Sequence, residues 1–165
     1  MRWHVVLCGA LLCAGCDQGV TPGSPAEVPT EGAIAGLITY RNWPPADSLF
    51  DLRIVAFREF PPGDVVGAVL SGKAIVYPGL GDTALVPFFV DSLRFRFALP
   101  TGEYKYLAVV QQFGRNIFSD WRAVGQYDTD GDPLVPTPVV IPPGDTLRGI
   151  VIPVDFVNRP PPPFL

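Results

Sequence analysis

Apolar and polar residues alternate with a period of two through much of the chain, the spacing of strands that bury one face. The stretch "GAIAGLITY" (32–40) sets Ile34, Gly36 and Ile38 against Ala33, Ala35, Leu37 and Thr39. In "DLRIVAFRE" (51–59), Leu52, Ile54, Ala56 and Arg58 oppose Arg53, Val55 and Phe57. The cleanest alternation is "SLRFRFALP" (92–100), with Leu93, Phe95 and Phe97 facing inward and Arg94 and Arg96 facing water. "EYKYLAVVQQ" (103–112) sets Tyr104, Tyr106, Ala108 and Val110 opposite Lys105, Leu107 and Val109. Similar spacing predicts strands at 84–90, 121–127, 137–141 and 147–156. The segment 61–82 breaks the rhythm and reads as a loop with one extra strand at 73–77.

Punctuation supports the same reading. Twenty prolines and seventeen glycines interrupt the chain every few residues and leave little room for long helices. Short strands bounded by turn clusters predict an all-β fold: a single antiparallel β-sandwich of about seven or eight strands, spanning 32–156. Residues 16–31 carry Gly, Pro, Ser and Thr without an aromatic residue and read as a flexible tether. Residues 157–165 end in "NRPPPPFL", a proline-rich tail that cannot donate to a sheet ladder and reads as a stiff surface segment.

The N-terminus changes the picture of compartment. Arg2 is followed by an apolar run from Val5 to Ala14, about the length of a signal h-region and too short to span a bilayer. The run closes on Leu12-Cys13-Ala14-Gly15-Cys16. Residues 1–15 thus resemble a bacterial lipoprotein signal peptide, although Cys13 stands where a larger aliphatic residue is usual. An ordinary secretory signal cut near Ala14 or Gly15 is the other reading. The resemblance implies that Cys16 becomes the lipidated first residue. Its several acyl chains exceed what stable membrane attachment requires. It also implies a cell-envelope location, with the outer membrane favoured.

Cleavage at that point would alter the chemical inventory. His4, the single histidine, leaves with the signal, as do Cys8 and Cys13, and lipidation consumes Cys16. A Ser-His-Asp triad, a cysteine nucleophile and a His or Cys zinc site are then excluded together. Sixteen acids allow many carboxylate pairs for glycoside hydrolysis, but nothing marks one of them. No enzymatic activity is expected. Loss of Arg2 makes the formal net charge of −4 one unit more acidic, which argues against a nucleic-acid partner. Arg53, Arg58, Arg94 and Arg96 read as outward-facing strand positions.

Two stretches carry a family resemblance. One is "GAIAGLITY" with "LRIVAF" after a loop; the other is "FRFALPTGEYKYLAVV", in which Leu99 to Tyr104 form a turn between strands. They are similar to the G-x-[IV]-x-G-x-[IV] strand and F-x-[LF]-P-x-G-x-Y turn of carboxypeptidase regulatory-like domains. The resemblance implies a transthyretin-like (prealbumin-like), Ig-like sandwich and a non-catalytic module of secreted or surface proteins. Local physics fits the turn: Pro100 presets φ, Gly102 can take positive φ, and Tyr104 then points inward.

Two sets of residues are candidates for binding. Asp128, Asp130 and Asp132 in "DTDGDP" alternate about a glycine, as oxygen ligands for Ca²⁺ do at the start of a calcium loop. The EF-hand pattern stops there, because Pro133 and Val139 fall where its glycine and glutamate belong. The other reading is an acidic inter-strand turn. Trp43 and Trp121 lead the loop aromatics that could stack a sugar or dock a peptide. The chain is therefore expected to be a lipid-anchored envelope or surface module with a structural or binding role. The alternative is a carbohydrate- or peptide-binding lipoprotein. The expected partners are the membrane, through the anchor, and an envelope protein or glycan.

Overall fold

The computed structural model describes residues 29–80, 82 and 85–163. Nine strands occupy them: β1 (Glu31–Arg41), β2 (Asp51–Phe57), β3 (Ala74–Tyr77), β4 (Ser92–Pro100), β5 (Gly102–Tyr104), β6 (Tyr106–Gln112), β7 (Trp121–Gln126), β8 (Val139–Ile141) and β9 (Thr146–Asp155). A short helix, α1 (Val65–Leu70), precedes β3. Seven strands form one sheet in the order β3-β2-β6-β7-β9-β1-β4, and β5 pairs with β8 apart from it. The all-β expectation holds.

The sheet is mixed rather than purely antiparallel, because β1 and β9 run parallel, from Ala33↔Thr146 to Arg41↔Asp155. The chain enters both strands from the same end. There the Gly144 N–H donates to the Glu31 carbonyl and the Ala33 N–H to the Asp145 carbonyl. Gly36 lies at a register shift in this pair, and a Cβ there would overlap the Ile150 carbonyl. Between β7 and β9 only Gly125 and Val154 pair, so the ladder is shortest at that point. Its edge strands approach each other, with Tyr77 of β3 and Phe97 of β4 at 5.4 Å between ring centroids. The sheet is nearly closed around the main core.

That core takes Ile34 and Ile38 from β1, Leu52 and Ile54 from β2, Phe95 and Phe97 from β4, and Ile150 and Ile152 from β9. Full burial of such a side chain contributes roughly 1.5–3 kcal/mol. A second cluster lies on the other face of β2 and β6. It joins Val55, Phe57, Tyr106, Ala108 and Val110 to Val65 of α1 and Ala74 of β3. The segment read as an irregular loop therefore contains a helix that covers the sheet. Asp64 caps α1, its carboxylate accepting the Gly67 N–H.

Three further expectations change. Residues 85–90 form no strand; Val86 instead enters the main core and Phe88 and Val90 pack against it. Pro87 lacks the N–H that a ladder needs there. The alternation also breaks at Lys105, between β5 and β6. Tyr104 joins Leu107 and Val109 in the main core, whereas Tyr106 faces the second cluster. Finally, two arginines read as outward-facing are half-buried. Arg53 Nε donates to Asp51 at 2.7 Å and its Nη1 to the Pro78 carbonyl at 2.8 Å, while Arg58 stacks over the Tyr104 ring at 4.6 Å. Arg94 and Arg96 do face water.

Candidate functional site

The predicted positions do not converge. Cys16 lies outside the described residues, as do the signal segment and most of the tether. Asp128, Asp130 and Asp132 share one loop, and each turns its Oδ1 back onto the backbone. Asp128 accepts from the N–H groups of Asp130 and Gly131 at 3.0 and 3.2 Å. Asp130 accepts from the Asp132 N–H, and Asp132 from the Leu134 N–H, both at 3.0 Å. This is a succession of Asx turns. For Asp128, desolvation that would raise its pKa is outweighed by those N–H donors and by hydrogen bonds with the Asp130 and Thr137 side chains, so the carboxyl lies below its ordinary value. Among the described residues no group of three or more His, Cys, Asp or Glu side chains is placed to hold a metal ion.

The two tryptophans belong to different clusters. Trp43 packs on the main core, its ring stacked between Tyr40 at 4.9 Å and Phe156 at 4.7 Å, and its Nε1–H donates to the Val90 carbonyl at 3.0 Å. Trp121 packs on the second cluster and donates its Nε1–H to the Ile117 carbonyl at 2.8 Å. They form no common stacking platform.

A different group does converge. Phe113, Arg122, Ala123, Val157, Arg159 and Pro160–Pro162 line an open cleft of about 530 Å³, with Phe113, Val157 and Arg159 exposed along it, a volume within the range of small-molecule sites. Because β7 and β9 pair antiparallel at Gly125 and Val154, the chain leaving β9 continues beside the first residues of β7. The proline-rich tail thereby becomes a wall of the cleft, and Pro163 beyond it is buried.

Arg122 is held in place from two sides. Its Nε–H donates to Gln111 Oε1 at 3.0 Å. Gln111 is itself fully buried and fixed, donating Nε2–H to the Ser48 carbonyl at 2.7 Å. The guanidinium lies over the Phe113 ring, 4.8 Å from its centroid, a cation–π contact. Desolvation, and then the like charge of Arg159, push Arg122 below its ordinary pKa. Arginine nonetheless stays charged at neutral pH. Among the described residues neither arginine has an ion-pair partner, although the chain is acidic overall.

The neighbouring acids in sequence are engaged elsewhere. Asp120 accepts from the Asn116 N–H and the Ser119 hydroxyl within its own loop. Asp155 accepts from the Asn42 side chain and from the N–H groups of Val157 and Asn158. These bonds, Asn42 foremost, hold its carboxyl far below the usual range.

Sequence reading missed Arg122, Arg159 and Gln111. The signal was weak: a lone glutamine ending an apolar strand, and an arginine beside an expected ligand tryptophan. No protein-family model, curated protein or solved structure matches the chain.

Proposed function

We propose that the chain is a non-catalytic, lipid-anchored module of the bacterial cell envelope that presents a binding cleft away from the membrane. The observation that carries this reading is the polarity of the domain. On this reading the tether from Cys16 joins β1 at Glu31. The eleven residues of β1 then run roughly 36 Å to Arg41, which pairs with Asp155 where β9 ends and the cleft begins. Arg122 lies three residues beyond the Gly125–Val154 pair, on the side away from the tether. The fixed elements of the cleft are a glutamine, a guanidinium and a phenyl ring, groups that orient and bind rather than transfer protons at neutral pH.

The finer fold assignment, a carboxypeptidase regulatory-like sandwich of the transthyretin kind, belongs to the same proposal. Its support is local. Gly32 and Gly36 of the first motif both lie where a Cβ would overlap a carbonyl, of Pro142 and of Ile150 respectively. In the second motif, the Tyr104 hydroxyl donates to the Pro100 carbonyl at 3.0 Å and closes the turn. Sugar or peptide stacking on Trp43 and Trp121 ranks below this reading, because the two indoles do not share a surface.

Anchoring is tested by cell fractionation. The full chain is expected in the membrane fraction of a bacterial host with an active lipoprotein pathway, and Cys16→Ala is expected to leave it. Equal partitioning of the two proteins counts against the anchored reading, whatever the cleft binds.

A further inference from the structure

We infer that the Phe113–Arg122–Arg159 cleft is an oxyanion site, taking the carboxylate or phosphate group of a small molecule whose apolar part rests on Phe113 and the proline wall. The inference deepens the binding role proposed above but does not depend on the lipid anchor.

The geometry points to this class of ligand. Gln111 occupies the Nε–H of Arg122 and Phe113 covers one face of its guanidinium, so the donors left for a ligand are on the terminal nitrogens. Those two nitrogens suit a bidentate pair with the two oxygens of a carboxylate or phosphate. Gln111 and Ser48 keep the group oriented before anything binds, which lowers the ordering cost of association. Arg159 lines the same cleft and adds a second positive charge. Two like charges meeting without a counter-ion repel, and an anion between them relieves that repulsion. Asp120 accepts hydrogen bonds within its own loop and Asp155 accepts them from Asn42 and from the Val157 and Asn158 N–H groups, and neither forms an ion pair with Arg122 or Arg159. A cleft of about 530 Å³ with Val157 and Pro160–Pro162 on its walls leaves room for an apolar body beside the anionic group.

The test uses the full chain purified in detergent, in a low-chloride buffer, titrated with inorganic phosphate, phenyl phosphate and benzoate by calorimetry and by NMR of the arginine side chains. Saturable binding of phenyl phosphate is expected, tighter than that of phosphate alone, with Arg122 Nε and Nη resonances moving. Arg122→Gln and Arg159→Gln should each weaken it by about tenfold or more, the loss of one charge-assisted hydrogen bond or ion contact. Arg122→Lys keeps the charge but loses the planar fork, and is expected to weaken binding nearly as much. An Arg94→Gln/Arg96→Gln double variant, which removes two water-facing charges on β4, should bind as the parent does. Melting curves identify any variant that fails to fold, and the Lys variant then carries the comparison. Three results would overturn the inference: no saturable binding of any probe at tens of millimolar, full binding by Arg122→Lys, or an equal loss in the β4 double variant.

Discussion

Gly102 opens β5, directly after the turn from β4, with φ +125°, a region that side chains rarely adopt, and a Cβ there would meet Arg58 Nη1 at 3.2 Å. Its sequence context, Pro-Thr-Gly-Glu-Tyr, made that conformation readable before any coordinates. Gly102→Val should cost roughly 1–3 kcal/mol in a denaturant melt, from backbone strain and crowding of the arginine that stacks on Tyr104. An unchanged midpoint would show that the turn relaxes freely. The aspartate loop was legible only as composition. Alternating carboxylates suggest calcium, yet the same alternation builds consecutive Asx turns, and only the placement of backbone N–H groups separates the two. Asp130→Asn keeps an acceptor for the Asp132 N–H and should cost less than about 0.5 kcal/mol, as an exposed substitution does. Calcium is checked in the same melts. A midpoint that rises with millimolar calcium in the parent but not in Asp130→Asn supports a cation loop, whereas no rise leaves the Asx turns as its role.

At the scale of elements, period-two reading gives both the split and the solvent side where one face meets water, and only the split where neither does. Strand β4 is the first case: Phe95, Phe97 and Leu99 are buried while Arg94 and Arg96 are exposed. Strand β6 is buried at every position, because α1 and its flanks cover the face that would otherwise be solvated. Its apolar run still alternates, with Tyr106, Ala108 and Val110 on the second cluster and Leu107 and Val109 in the main core, but no polar face shows that both sides are covered. The helix itself, "VVGAVL", spans under two turns and is rich in β-branched residues, so neither periodicity nor propensity marks it. The parallel β1–β9 pair was equally hidden, since direction depends on which end the chain enters. Gly36→Ala tests that pairing. A methyl group driven toward the Ile150 carbonyl should force β1 and β9 apart and cost about 1–3 kcal/mol in a melt, the usual range for overpacking. A neutral result would place the strands farther apart than described.

For the whole molecule, the arginine cleft depends on distance in sequence. Gln111 and Arg122, eleven positions apart, are cross-strand partners in the β6–β7 pair, and Arg159 comes from the tail, which the Gly125–Val154 pairing of β7 with β9 brings alongside. No local motif encodes that convergence. The tail was readable as stiff and unable to join a sheet, but not as the wall of a site. The compartment shows the reverse case. The proposed envelope location rests wholly on the local pattern of residues 1–16, independent of how the rest folds, and the proposal that the cleft faces outward from a membrane rests on it in turn. Mass spectrometry of the N-terminal peptide, from protein isolated in the membrane fraction of a bacterial host, tests this most directly. The account predicts that the chain begins at Cys16, with a thioether-linked diacylglycerol and an amide-linked acyl chain on that residue. A chain beginning at any other residue, or a Cys16 carrying an unmodified thiol, would contradict it.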